Sequence, residues 1–219
     1  MPYRIVNHIA NRIIVSLLFA LFIVAPFIFV KPAPSLAAEQ TAYFAGGCFW
    51  CTEHDFEKLD GVTNVVSGYM GGFVENPTYK QVSGGQTGHF EIVRVDYDTD
   101  KITYQALLSA FWRMHDPSDG TGSFCDRGLQ YSTAIFYTNE EQRQLAEGAV
   151  AALEKAKKFP RPIATRILSA SQFYPAEDYH QNYSTRNPLR YKFYRSRCGR
   201  DQFINKVWKD DNMLYQSAE

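Results

Sequence analysis

The sequence predicts an α+β fold, with helices packed on a mixed sheet, from three observations. Stretches with a two-residue period and stretches with a helical period interleave in the order β-α-β-β-α-β-α-β, which suits a sheet covered by helices. The 219 residues are 45% hydrophobic and 21% charged, enough to bury one sizeable core and too apolar for a disordered chain. Past residue 38 no repeat, low-complexity tract or Pro/Ser linker interrupts the chain, so residues 39–219 read as a single domain.

The first 38 residues are different in kind. Arg4 and Arg12 precede the apolar run 13–30, which is followed by Lys31 and the small-residue stretch PAPSLAA. A basic end, an apolar stretch and a small-residue cleavage site make a secretory signal, cut after Ala37 or Ala38. The run also approaches the roughly 20 residues that span a bilayer, so an uncleaved membrane anchor is the alternative. Both place the body outside the cytoplasm, because the basic flank stays inside. The expected location is therefore periplasmic or secreted, or anchored with the domain outside. The 23 bases less the three in this segment leave 20 against 23 acids, and a net charge of −3 excludes nucleic acid or an anionic membrane surface as an expected partner.

Within the domain, residues 41–45 (TAYFA) read as a strand, Gly46-Gly47 as a tight turn and residues 48–59 as a helix. Residues 62–69 and 89–98 are β-rich, and the Gly-rich stretch 70–88 between them reads as a loop. Residues 103–115 place Leu107, Leu108, Phe111 and Trp112 at helical spacing, a core-facing stripe. Residues 131–137 read as a strand. Asn139 then caps a helix with Glu140 and Glu141 in its first turn and Lys155, Lys157 and Lys158 at its end, charges that suit the helix dipole. Residues 163–168 form a further short strand. From Pro175 the chain is rich in Tyr, Arg and Asn and weakly periodic, an irregular C-terminal tail.

The chemistry concentrates in FAGGCFWCTE, residues 44–53. Four cysteines (Cys48, Cys51, Cys125, Cys198) in an exported chain of this size are too few for a disulfide scaffold. Cys48 falls at the start of a predicted helix, where free N–H groups and a positive partial charge favour the thiolate. Gly46 and Gly47 clear side chains from around it, leaving room for a substrate atom. The residues alone leave four alternatives: a thioredoxin-like dithiol; a zinc site using Cys48, Cys51 and His54; a Cys/His hydrolase with His89, His115 or His180 as base; or a small buried cysteine.

GGCFWCTE is followed in order by GYMGGFVENPTY, TGHFEIVRVDYD, LLSAFWRMHDP and DRGLQYSTAIF, and together these blocks resemble the A-type peptide methionine sulfoxide reductases over most of residues 43–208. The resemblance implies a two-layer α/β sandwich with a ferredoxin-like core and reduction of the S epimer of methionine sulfoxide in proteins and peptides. It implies Cys48 as the nucleophile, Phe49 and Trp50 as the pair that holds the substrate methyl group, and Glu91 as the carboxyl that protonates the sulfoxide oxygen. Tyr79 and Tyr131 would hydrogen-bond that oxygen, with Asp126 as a supporting carboxylate. A sulfoxide accepts a thiolate poorly unless charge growing on its oxygen meets a proton or strong donors. Glu91 must then be neutral at working pH, which an apolar setting beside Phe49 and Trp50 would arrange.

Attack should release methionine and leave a sulfenic acid, which a second thiol closes to a disulfide. Cys51, one helical turn along, is expected to resolve it, with Cys198 on the tail passing the disulfide outward. No cofactor or metal is expected, only an external thioredoxin-like donor or dithiol acting on a monomer. Where relatives carry Asn-Arg-Gln-Gly after His115-Asp116-Pro117, this chain has SDGTGSFC. Cys125, next to Asp126, reads as a small loop residue or a third redox thiol, the former being the simpler.

Overall fold

The computed structural model describes residues 39–209; the segment read as a signal or anchor and residues 210–219 lie outside the described residues. The chain runs β1 (Glu39–Gly46), α1 (Phe49–Phe56), β2 (Val62–Met70), α2 (Tyr79–Ser83), β3 (Phe90–Asp98), α3 (Tyr104–Trp112), β4 (Gly122–Ser123), β5 (Asp126–Arg127), β6 (Thr133–Tyr137), α4 (Glu140–Ala156), β7 (Arg166–Ser169), β8 (Tyr174–Pro175), α5 (Tyr183–Arg186), α6 (Pro188–Arg197) and α7 (Arg200–Trp208).

Six strands form one sheet in the order β7-β6-β1-β3-β2-β8, while β4 and β5 pair separately. Only the β6–β7 pair is parallel, so the sheet is mixed. Its centre, β6-β1-β3-β2 with α1 and α3 as crossovers, is the split β-α-β-β-α-β arrangement of a ferredoxin-like fold.

Alternation along the strands decides which side chains meet the helices. Phe44, Val93 and Val95 point to the face covered by Phe56, Leu107 and Phe111. Ala45, Phe90, Ile92 and Phe136 point to the other, where Phe173 and Leu168 pack. Glu91 shares its face with Val93, two residues on, and is therefore delivered beneath α1 rather than to solvent.

The helix signals act as read. Thr103 accepts a hydrogen bond from the Ala106 amide and Asn139 from that of Gln142. Lys157 ends α4 in a left-handed conformation.

Four expectations change. The Gly-rich stretch contains α2, opened by a capping box in which Thr78 and Gln81 bond reciprocally. Tyr131 lies in a 3₁₀ turn (Leu129–Tyr131) before the strand. The strand expected at 163–168 pairs only from Arg166, because the amides of Ala164 and Thr165 donate to the Pro117 carbonyl instead. The tail is not irregular: it folds into α5, α6 and α7, with Pro188 at the first turn of α6 and Gly199 in a left-handed conformation between α6 and α7.

Candidate active site

Cys48 is the N-cap of α1, at the end of the turn that leaves β1. The two glycines before it serve the fold and not, as expected, substrate approach. Gly47 has φ +90°, and a Cβ there would sit 2.3 Å from that of Ser123. A Cβ at Gly46 would sit 2.6 Å from the Thr52 hydroxyl. These glycines let the β4–β5 hairpin dock against the start of α1.

Cys48, Phe49, Trp50, Tyr79, Glu91, Asp126, Tyr131 and Tyr194 line one cavity of about 130 Å³. The seven residues expected there from four separate stretches of sequence thus converge, joined by Tyr194 from α6. Glu91 reaches up from β3, and its Oε2 accepts a hydrogen bond from the Phe49 amide at 3.1 Å. Tyr79 and Tyr131 both line the cavity, close enough for each to affect the other electrostatically. Tyr194 donates its hydroxyl proton to Asp126 Oδ2. Larger hollows elsewhere, such as one of about 600 Å³ beside His54 and Leu189, hold none of this chemistry.

The tail builds the aromatic wall. Trp50 stacks on Tyr183 with ring centres 3.6 Å apart, and its indole N–H donates to His180 Nδ1 at 2.9 Å. Burial holds the His180 imidazole below its usual pKa, which suits its role as acceptor. Phe49 packs 5.0 Å from His180 and 6.4 Å from Tyr79. Glu177 clamps the far side, accepting from the Tyr69 hydroxyl at 2.9 Å and the Tyr79 amide at 2.8 Å.

Burial sets the electrostatics. Glu91 is 1% exposed, and desolvation pushes its pKa well above the carboxylate range against the opposing Phe49 hydrogen bond. The shift favours the protonated carboxyl, the form that can donate a proton. Desolvation likewise raises Tyr79 to about 12 and Tyr131 above its normal value, so both phenols stay protonated donors. Desolvation raises Asp126 as well, against the Tyr194 hydroxyl and Arg200.

Cys48 departs from the expectation of a helix-start thiolate. Burial, its hydrogen bond to Cys51 and the nearby Glu91 and Asp126 raise its pKa, and the Phe49 amide that would have faced it is taken by Glu91. The same hydrogen bond lowers Cys51 to about 7 despite burial, with help from Arg200 and Arg195.

The rival uses of the motif find no support in the geometry. His54 bonds Ser184 at 2.9 Å, His89 bonds the Gly72 amide and Val74 carbonyl, and His115 faces Thr165. Among the described residues no three His, Cys, Asp or Glu side chains converge to hold a metal.

The family model for peptide methionine sulfoxide reductases matches residues 40–212. The chain belongs to that family. The reductase is 54% identical over 169 residues to peptide methionine sulfoxide reductase MsrA of Halalkalibacterium halodurans, covering 77% of this chain and 96% of the relative. It is 47% identical over 194 residues to peptide methionine sulfoxide reductase MsrA 2 of Caulobacter vibrioides, covering 87% and 97%. Among solved structures, methionine sulfoxide reductase A of Corynebacterium diphtheriae superposes with a TM-score of 0.62 at 34% identity, over 71% of this chain and 78% of the other.

One cysteine assignment is overturned. Cys125 is not a simple loop residue: it forms a disulfide with Cys198, with Cα atoms 5.1 Å apart, while Cys48 and Cys51 are free and buried. In this state Cys198 has no thiol to offer, so the expected relay through it requires that the outer bond first be reduced. The bond joins the C-cap of α6 to the hairpin that carries Asp126. Sequence reading missed Tyr194, Tyr183, Glu177 and Arg200 and named His180 only as a possible base, all in the segment taken as irregular. Asn187-Pro188 and Gly199, a helix opener and a helix breaker ten residues apart, were the local signs of order there.

Proposed function

We propose that the reductase acts on the S epimer of methionine sulfoxide in oxidised proteins and peptides, outside the cytoplasm, as a monomer. The observation that carries the proposed reaction is the cavity in which a cysteine lies with a carboxyl and two phenols whose raised pKa values favour their protonated forms.

In the proposed cycle the methyl group rests on Trp50 and Phe49 and the sulfoxide oxygen accepts from Tyr79, Tyr131 and Glu91. Cys48 attacks sulfur as Glu91 gives its proton to the departing oxygen, which passes to Cys48 as a sulfenic acid while methionine leaves. Cys51 then displaces that oxygen as water and forms the Cys48–Cys51 disulfide. A thioredoxin-like dithiol returns both thiols, and no cofactor is needed. Export follows from the residues before Glu39, as a cleaved signal or an anchor.

The test compares wild type, Glu91→Gln and Cys48→Ser on each epimer with dithiothreitol as reductant. Wild type is expected to consume only the S epimer and Cys48→Ser neither. Consumption of the R epimer, or S-epimer turnover by Cys48→Ser, would refute the reading. Indifference to Glu91→Gln would point instead to a general disulfide oxidoreductase.

A further inference from the structure

Two arginines face the buried cysteine pair, and only one is neutralised. Arg195 bonds both oxygens of Asp55, at 2.9 and 3.0 Å, and Asp201 at 2.8 Å. Arg200 is 2% exposed, and among the described residues it makes no ion pair with a carboxylate. Its guanidinium donates to the Met114 carbonyl and, at 3.2 Å, to that of Gly46. It lies 4.8 Å from the centre of the Phe124 ring, and a Cβ at Gly47, the residue before Cys48, would sit 3.3 Å from Nη2. A buried charge without a counter-charge is costly. Of the groups that can carry its counter-charge it feels Cys51 most strongly, then Asp55 and then Cys48, and it also draws down the Asp126 carboxyl.

We propose that Arg200 is a positioning residue for the reaction, a fixed cation that keeps one negative charge on the Cys48–Cys51 pair. The assignment rests on the proposed use of both thiols. Within the pair the remaining proton lies between the two sulfurs, so either can become the nucleophile. As a thiolate, Cys48 attacks the sulfoxide. Once Cys48 is a sulfenic acid that has taken its proton from Glu91, Cys51 gives its own proton to the Glu91 carboxylate and carries the charge; it attacks the Cys48 sulfur, expels hydroxide that takes that proton from Glu91 as water, and leaves a neutral disulfide. The charge is thus present before each attack and absent after the second.

The other groups facing the pair do not supply that charge balance. From α1 and the β4–β5 hairpin, Asp55 and Asp126 disfavour an anion, and protonated Glu91 on β3 adds no positive charge. From α6, Tyr191 and Tyr194 stay protonated and Arg195 is held by its aspartates. His115, next to Arg200, is neutral because burial and that arginine push it down to about 3.

The test is a pH titration of thiolate absorbance in the protein whose Cys125–Cys198 bond is intact, so that only the inner pair reports. Wild type should show a first deprotonation near neutrality. Arg200→Met should move that midpoint up by about one pH unit or more, the size expected for losing a close opposite charge, and Arg200→Lys should restore most of it. Phe124→Asp offers an independent arm should Arg200→Met not fold. Phe124 has φ 55°, a conformation aspartate tolerates, and a carboxylate there would neutralise the guanidinium and raise the midpoint as well, while neutral Phe124→Asn should not. A midpoint that stays in place in Phe124→Asp overturns the proposal. Because thiols are read directly, a wild type that left the S epimer unreduced would refute the proposed function while a shifted midpoint still supported Arg200.

Discussion

Glu91 is the residue on which the proposed chemistry turns, because its use depends on a proton that an exposed glutamate would have lost. Burial raises its pKa, so activity should fall on the alkaline side as the carboxyl ionises. Glu91→Gln keeps the hydrogen bond and removes the transferable proton. It is expected to cost about 10²–10⁴-fold in turnover, the range of general acid catalysis, and to abolish that alkaline limb in a pH–rate profile. Tyr194→Phe should act more mildly. It removes the donor that lowers Asp126, so the Asp126 titration, followed by carboxyl infrared or NMR shifts, should move upward while the S-epimer rate falls by roughly tenfold, one lost hydrogen bond to a charged group. At this scale the motif blocks made Cys48, Glu91, Tyr79, Tyr131 and Asp126 legible. Tyr194 was not, and His180 was read only as a possible base, because a tyrosine or histidine in a Tyr-rich segment carries no mark of which side chain it will meet.

Among the elements, α1 carries a second buried acid that the chemistry does not use. Glu53 is 1% exposed, and its nearest donors are the amides of Asn182 and Tyr183 and the Ser67 hydroxyl, none of them in full hydrogen-bonding geometry. Desolvation raises it from 4.5 to about 7. The folded state therefore holds a proton that the unfolded chain releases, and stability falls as pH rises from the ordinary carboxylate range through about 7. Glu53→Gln should flatten that fall, by on the order of 3 kcal/mol in full, in denaturant melts at pH 5 and pH 8. The longer elements were legible because period and caps agreed, as at Asn139 and Thr103. The two-residue strands β4 and β5 are too short to show a period, and α6 hides its stripe because its inner side is buried Tyr191 with half-buried Tyr194 and Arg195 instead of aliphatics.

For the whole molecule, the β4–β5 hairpin stands outside the six-stranded sheet and is tied to the tail across 73 residues by Cys125–Cys198. Cys125→Ser or Cys198→Ser should lower unfolding free energy by about 2–5 kcal/mol, the usual range for such a loop, in urea melts under non-reducing conditions. The sequence carried the sheet and its helices but not this tie, since four cysteines allow several pairings, and spacing pointed to Cys51 and the family resemblance to Cys198 as partners of Cys48. Gly47 holds the other side of the same hairpin, with Ser123 filling the space a side chain would need. The consequence is one of portability. Asp126 takes its place from a loop keyed at one end to the residue before the nucleophile and at the other to the C-terminal helices, so a hairpin transplanted between relatives would function only if its glycine socket and its cysteine travelled with it.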